Sequence, residues 1–179
     1  GLSILMGLFL LYHQTGTLRI DDLYQACQGK NVLPACICML IGFGGKAGVF
    51  PLHIWLPKAH PAAPAPASAL LSGILTKTGI FGILVISCKI FLHDAVWGTV
   101  MLVLGVLTML VGAVLAVFSV DIKRTLACSS VSQIGFILVG IGMQGLLGEE
   151  NILAVRGTML HMVNHSLFKL TLFLVAGVI

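Results

Sequence analysis

Gly42-Phe-Gly-Gly-Lys-Ala-Gly-Val-Phe-Pro51 sits inside an otherwise apolar run and sets four glycines, a proline and Lys46 where a spanning helix would pass. Pro51 removes a backbone donor and clashes with the turn before it. Gly44, Gly45 and Gly48 let the chain leave helical geometry, so a broken helix is predicted here. In a bilayer, freed backbone groups are tolerated only against protein or a water-filled cavity. A glycine-lined helix crossing would explain the glycines alone equally well; the lysine in the same stretch favours an ion path.

Outward from this stretch the chain is apolar almost throughout. Of 179 residues, 58% are hydrophobic and 9% charged, whereas a soluble domain carries about 25% charged residues. The class is therefore all-α integral membrane, because the apolar runs are continuous and not alternating as in a β-barrel. About six spans are predicted in one transmembrane domain, over 1–14, 32–55, 66–88, 96–119, 125–144 and 152–179. The segment His60-Pro-Ala-Ala-Pro-Ala-Pro66 makes a stiff connection that starts the third span near Pro66. Gly1 at the start and an apolar run at the end suggest a piece of a longer chain.

Loops on alternate sides carry Arg19, Lys30 and Lys89, with Arg156 nearby, against Lys58, Lys123 and Arg124. That count does not orient the bundle; the shorter, less acidic even loops lean toward the cytoplasm. The net charge of +4 is spread over these loops and forms no basic run, which excludes nucleic acid as a partner. Five cysteines without metal-ligand spacing read as buried free thiols. No phosphate loop, nucleophile with adjacent base, or metal cluster is visible, so no bond-making chemistry and no cofactor is assigned to this chain.

Five titratable residues fall inside spans: Lys46, Lys77, His161, His165 and Lys169. Each costs about 2.5–3.5 kcal/mol at the membrane centre on insertion scales. Snorkelling would be the structural reading of Lys46 and Lys77, but a side chain of about 6 Å cannot reach an interface from the middle of a core about 30 Å thick. Both lysines sit near mid-membrane on adjacent antiparallel helices and could face one another. Burial disfavours the charged form of an amine, which suits loading and release of a proton. His161, His165 and Lys169 recur every four residues and stack on one helix face, where imidazoles and an amine can relay protons through water. Gln133, in Ser129-Ser-Val-Ser-Gln133-Ile-Gly135, adds amide and hydroxyl groups that could line the path, although hydrogen bonding between helices accounts for them equally well. His53, beyond the break, reads as a structural cap or part of the path's mouth.

Several stretches resemble a known family. They are Gly45-Lys-Ala-Gly-Val-Phe-Pro-Leu-His-Ile-Trp-Leu-Pro-Lys-Ala-His60, Ser68-Ala-Leu-Leu-Ser-Gly-Ile-Leu-Thr-Lys-Thr-Gly79, Asp121-Ile-Lys-Arg124, Ser130-Val-Ser-Gln-Ile-Gly135 and His161-Met-Val-Asn-His-Ser-Leu-Phe-Lys169. In order across the chain, they resemble the antiporter-like subunits shared by respiratory complex I, Mrp-type cation/proton antiporters and membrane-bound hydrogenases. The resemblance implies a subunit of about fourteen helices built from two inverted repeats, of which this chain holds the sixth to the eleventh. By the same resemblance Lys46 matches the lysine of the broken helix, Lys77 that of the next helix, and His165 the eleventh-helix histidine of a hydrophilic axis. Gln133 stands where some relatives carry histidine. The partner glutamate of the lysine at Lys46, and the residue closing the second half-channel, would lie outside this chain.

The resemblance further implies proton translocation, with Na⁺ as the other candidate ion. It implies membrane subunits of a respiratory, hydrogenase or Mrp complex as partners, a bacterial cytoplasmic membrane as the location, and any Fe-S, flavin or NiFe centre in partner subunits. The quoted motifs leave the branch open among complex I, hydrogenase and Mrp. Two other readings are a structural subunit without transport and a haem-binding cytochrome. The latter would need histidine ligands on facing helices, whereas His161 and His165 share one helix.

Overall fold

The computed structural model describes residues 1–178; Ile179, the last residue of the predicted final span, lies outside them. Among the described residues the chain is helical, with no strand. Its α-helices are α1 (Leu2–Thr15), α2 (Leu23–Cys27), α3 (Leu33–Ala47), α4 (Trp55–Ala62), α5 (Ala65–Leu70), α6 (Thr76–Lys89), α7 (Ala95–Val117), α8 (Ile122–Leu146) and α9 (Ile152–Val175). A 3₁₀ turn at Leu52–Ile54 leads into α4, and a π turn at Leu71–Leu75 joins α5 to α6.

Four helical stretches are long and apolar enough to cross a bilayer: Leu33–Ala62, Ala65–Lys89, Ala95–Val117 and Ile122–Leu146. Helix α1 is apolar but has only 14 residues, about 21 Å against a hydrocarbon core of about 30 Å. Helix α9 has the length, at 24 residues, but is not among the four. The polar groups of His161, Asn164, His165 and Lys169 lower its hydropathy.

Local chemistry sets the helix ends. Asp94 Oδ1 accepts from Val96 N at 2.9 Å and Trp97 N at 3.1 Å, and Asp121 Oδ1 from Lys123 N at 2.8 Å. These carboxylates cap the orphan donors that begin α7 and α8. Pro64 precedes α5 and Pro66 lies in its first turn, where a missing N–H costs nothing. Pro61, by contrast, is carried inside α4, so the helix continues past His60 to Ala62.

The broken segment runs differently from an interruption centred on its glycines. Gly44 and Gly45 remain within α3, and the helix ends at Gly48, whose φ of 87° is the left-handed conformation that glycine adopts without penalty. Phe50–Pro51 follows as a cis peptide. Trp55 Nε1 donates to Gly45 O at 2.7 Å, satisfying a carbonyl that the break would otherwise strand.

Helices α7 and α8 run antiparallel in close contact. Gly98, Gly105 and Gly112 line the inner face of α7, and Gly135 and Gly142 the inner face of α8; a Cβ at Gly105 would lie 2.7 Å from Val139 N and 2.9 Å from Gly135 O. Small residues of this kind let membrane helices approach backbone to backbone. The outer face of α7 exposes Val103, Leu107, Leu110 and Val114, so its surface is more apolar than its interior, as expected of a lipid- or partner-facing helix. Ile80, Ile83, Met101, Ile134, Ile137 and Leu138 fill the core where α3, α6, α7 and α8 meet.

Candidate functional site

The site forms where α4, the π turn and α6 meet the adjoining faces of α8 and α9. Lys77 projects from the start of α6 and is 8% exposed. Its Nζ donates to Ser72 O at 2.6 Å, and Thr76 Oγ1 donates to the same carbonyl at 3.0 Å. The π turn makes this possible: it opens the backbone by one residue, and such turns gather at functional sites.

Lys169 lies two turns beyond His161 on α9 and is 4% exposed. Its Nζ donates across to α8, to Leu126 O at 2.8 Å and Ser129 Oγ at 2.5 Å. Leu126 O also accepts from Ser130 Oγ at 3.0 Å, and Ser130 Oγ pairs with Ser72 Oγ at 2.9 Å. Both buried lysines therefore rest on carbonyl and hydroxyl oxygens. Among the described residues the sole ion pair is Arg19 with Asp22 on the surface, at 3.5 Å.

The histidines continue this file along α9. The rings of His161 and His165 are 6.2 Å apart and nearly parallel, and Phe136 of α8 packs on His161 at 4.7 Å. His165 is 5% exposed, and neither of its ring nitrogens has a hydrogen-bond partner; His161 Nε2 is likewise unpartnered. One turn past Lys169, Phe173 stacks on His60 of α4 at 4.4 Å. His60 has no exposed surface and also leaves both nitrogens unpartnered. Ser68 Oγ donates to His60 O at 3.0 Å, tying α5 to α4 beside it. Buried polar atoms are nearly always hydrogen-bonded, so a succession of buried imidazole nitrogens without protein partners is exceptional.

Of the residues singled out from sequence, Lys77, His161, His165 and Lys169 share this region. Gln133 is half-buried on α8. The contacts Phe136 to His161 and Ser129 to Lys169 place it at the register position opposite His165. Lys46 stands apart: it is exposed on α3, which meets α6 through Phe43 and Ala47 against Gly79. Gly48 and Pro51 form the break, with buried His53 stacked on Phe50 at 5.7 Å. Sequence reasoning missed His60 and Ser72 as site residues, while the hydroxyls of Ser129 and Ser130 belong to the stretch around Gln133 that it offered as path lining. His60 was visible only as part of a proline-rich connection, and Ser72 stands five residues before Lys77, a spacing that an α-helix does not bring together. All five cysteines are free, and no group of three or more His, Cys, Asp or Glu among the described residues could hold a metal ion.

An interrupted spanning helix beside a buried file of lysine and histidine defines an all-α integral membrane protein of the antiporter-like class. Residues 1–179 match the family described as NADH:quinone oxidoreductase/Mrp antiporter, transmembrane, and the chain belongs to that family. Hydrogenase-4 component B of Escherichia coli (strain K12) is 40% identical over 98% of this chain and 28% of its own length. Formate hydrogenlyase subunit 3 of the same organism is 40% identical over 98% of this chain and 30% of its own length. The solved Mrp complex from Dietzia sp. DQ12-45-1b contains a chain that superposes with a TM-score of 0.89 at 33% identity, covering 98% of this chain and 32% of that one. This chain thus spans less than a third of the length of these relatives.

Proposed function

We propose that this chain is the central part of a proton-translocating subunit in a membrane complex of the hydrogenase, Mrp or complex I kind. The observation that carries the reading is the convergence of Lys77, His165, Lys169 and His60, exposed by 8%, 5%, 4% and 0%, around oxygens and unpartnered imidazole nitrogens. Neutral imidazole accepts a proton on one nitrogen and donates from the other, so with water between them His161 and His165 can pass protons along α9 toward Lys169. Lys77 exchanges with the same pool from α6. His60 extends the file toward the α4–α5 connection, on the side of the even loops, which we assign to the cytoplasm of a bacterial cell. Lys46, on the outer flank of α3, is placed to meet a carboxylate from another part of the longer protein. The site offers amines and imidazoles and no cluster of carboxylates, which favours H⁺ over Na⁺ as the ion bound here.

Any redox centre belongs to partner subunits, and the subunit's share is to convert their energy into proton movement. The test is to express the full-length protein with His165→Leu or Lys46→Ala, isolate its complex in mild detergent, and follow acidification of sealed vesicles. Wild type moves protons, and both variants assemble but lose most of that movement. Unimpaired acidification in both would refute the path. The visible spectrum of the same preparation assigns the branch: iron-sulfur or flavin absorption marks a redox-driven pump, and a colourless assembly marks a cation/proton antiporter.

A further inference from the structure

We propose that the hydroxyl pair of Ser72 and Ser130 is a positioning element that holds Lys77 and Lys169 in register for proton transfer. This inference rests on the transport reading above. The pair joins residues 58 apart in sequence at 2.9 Å, and both serines are fully buried. On one side, the carbonyl of Ser72 takes Lys77 Nζ at 2.6 Å. On the other, Ser130 Oγ donates to Leu126 O at 3.0 Å, the carbonyl that also takes Lys169 Nζ at 2.8 Å. The two amines are therefore the ends of one continuous set of contacts that runs through the serine pair.

A hydroxyl has a single proton to give. With Ser130 Oγ donating to Leu126 O, the proton between the serines comes from Ser72. The link then runs in one direction, from the π turn to α8. A π turn is a rare, single-turn departure from an α-helix. The Ser72 to Ser130 bond ties this one to α8 at the residue whose carbonyl holds Lys77. Gly73, next along the turn, allows α9 to pack against it; a Cβ there would lie 2.6 Å from Leu170 Cγ. Leu170 follows Lys169 directly, so the turn that aims Lys77 also abuts the stretch that carries Lys169. Without the pair, the turn and α8 can slide, and the two amines lose their fixed spacing.

A bond that merely packs helices and one that positions the lysines differ in what their removal does to proton movement. Full-length protein in its complex would carry Ser72→Ala, Ser130→Ala, both together, and the size-conserving Ser72→Cys and Ser130→Cys, with Lys77→Ala as reference. Initial rates of proton movement in sealed vesicles are then recorded over a pH series, with assembly checked on native gels. We expect each alanine variant to assemble and to slow transport by roughly three- to tenfold, the loss of about one hydrogen bond. Both should change the pH profile in the same way, the double variant should be no slower than either single, and the cysteine variants should fall between alanine and wild type. Wild-type rates and an unchanged pH profile in the alanine variants, with transport abolished by Lys77→Ala, would overturn the proposal and leave the transport reading standing. Transport surviving Lys77→Ala would overturn both.

Discussion

His60 stacks on Phe173 at 4.4 Å with no exposed surface, and both its ring nitrogens lack partners. A buried polar group without a hydrogen bond costs about 1–3 kcal/mol, so packing alone would favour an apolar residue at this position. Its place on the ring of Phe173, one turn from Lys169, fits a role in proton movement. His60→Leu, close in volume and free of polar atoms, is expected to leave the melting temperature of the complex unchanged or higher while proton movement falls several-fold. Transport at the wild-type rate in that variant would make His60 a packing residue only. Lys169 makes the opposite case, since its Nζ has two acceptors on α8. Removing it takes one donor from Leu126 O, which keeps Ser130 Oγ, and the lysine from Ser129 Oγ, so Lys169→Ala should cost both transport and some stability.

At the level of elements, the pairing of α7 with α8 sets the frame on which Leu126, Ser129 and Ser130 are presented. Gly98, Gly105 and Gly112 recur every seven residues and meet Gly142, Gly135 and Ser132 of the antiparallel neighbour. A valine at Gly105 would press on backbone that cannot yield, and overpacking of this kind costs about 1–3 kcal/mol. Gly105→Val should therefore lower the thermal stability of the complex, measured by a detergent melt, whereas Val103→Ala on the outer face should not. Equal melts would show that the helices have room to separate.

Much of this frame could be read from the chain itself. The stripe of His161, His165 and Lys169 follows from helix periodicity, and Pro64 and Pro66 fix the start of α5. The break was legible in kind but not in place, because glycine permits departure from a helix without requiring it, and of the glycines at 42, 44, 45 and 48 only Gly48 takes a positive φ. The π turn was not legible, since its single extra residue comes from tertiary contact and leaves no periodic mark. The orientation of Lys46 was not legible either. Adjacent helices can meet on any face, and here Ala47 and Phe43, not Lys46, meet α6.

Viewed whole, the molecule buries its polar file and exposes an apolar shell. Leu153, Leu160, Val117 and Phe118 are each more than 70% exposed. Such a surface calls for lipid or neighbouring subunits. The relatives are more than three times as long as this chain. In the full-length complex, Lys46→Cys is expected to resist a membrane-impermeant maleimide, while Lys58→Cys, exposed on α4, reacts readily; equal labelling would place Lys46 at an aqueous surface. The most direct test of the path is proton flux through the intact complex, reconstituted in liposomes, with Lys77→Ala and Lys169→Ala compared to wild type at matched protein content. Either substitution is expected to remove most of the flux from an assembled complex. Undiminished flux in both would show that protons cross elsewhere.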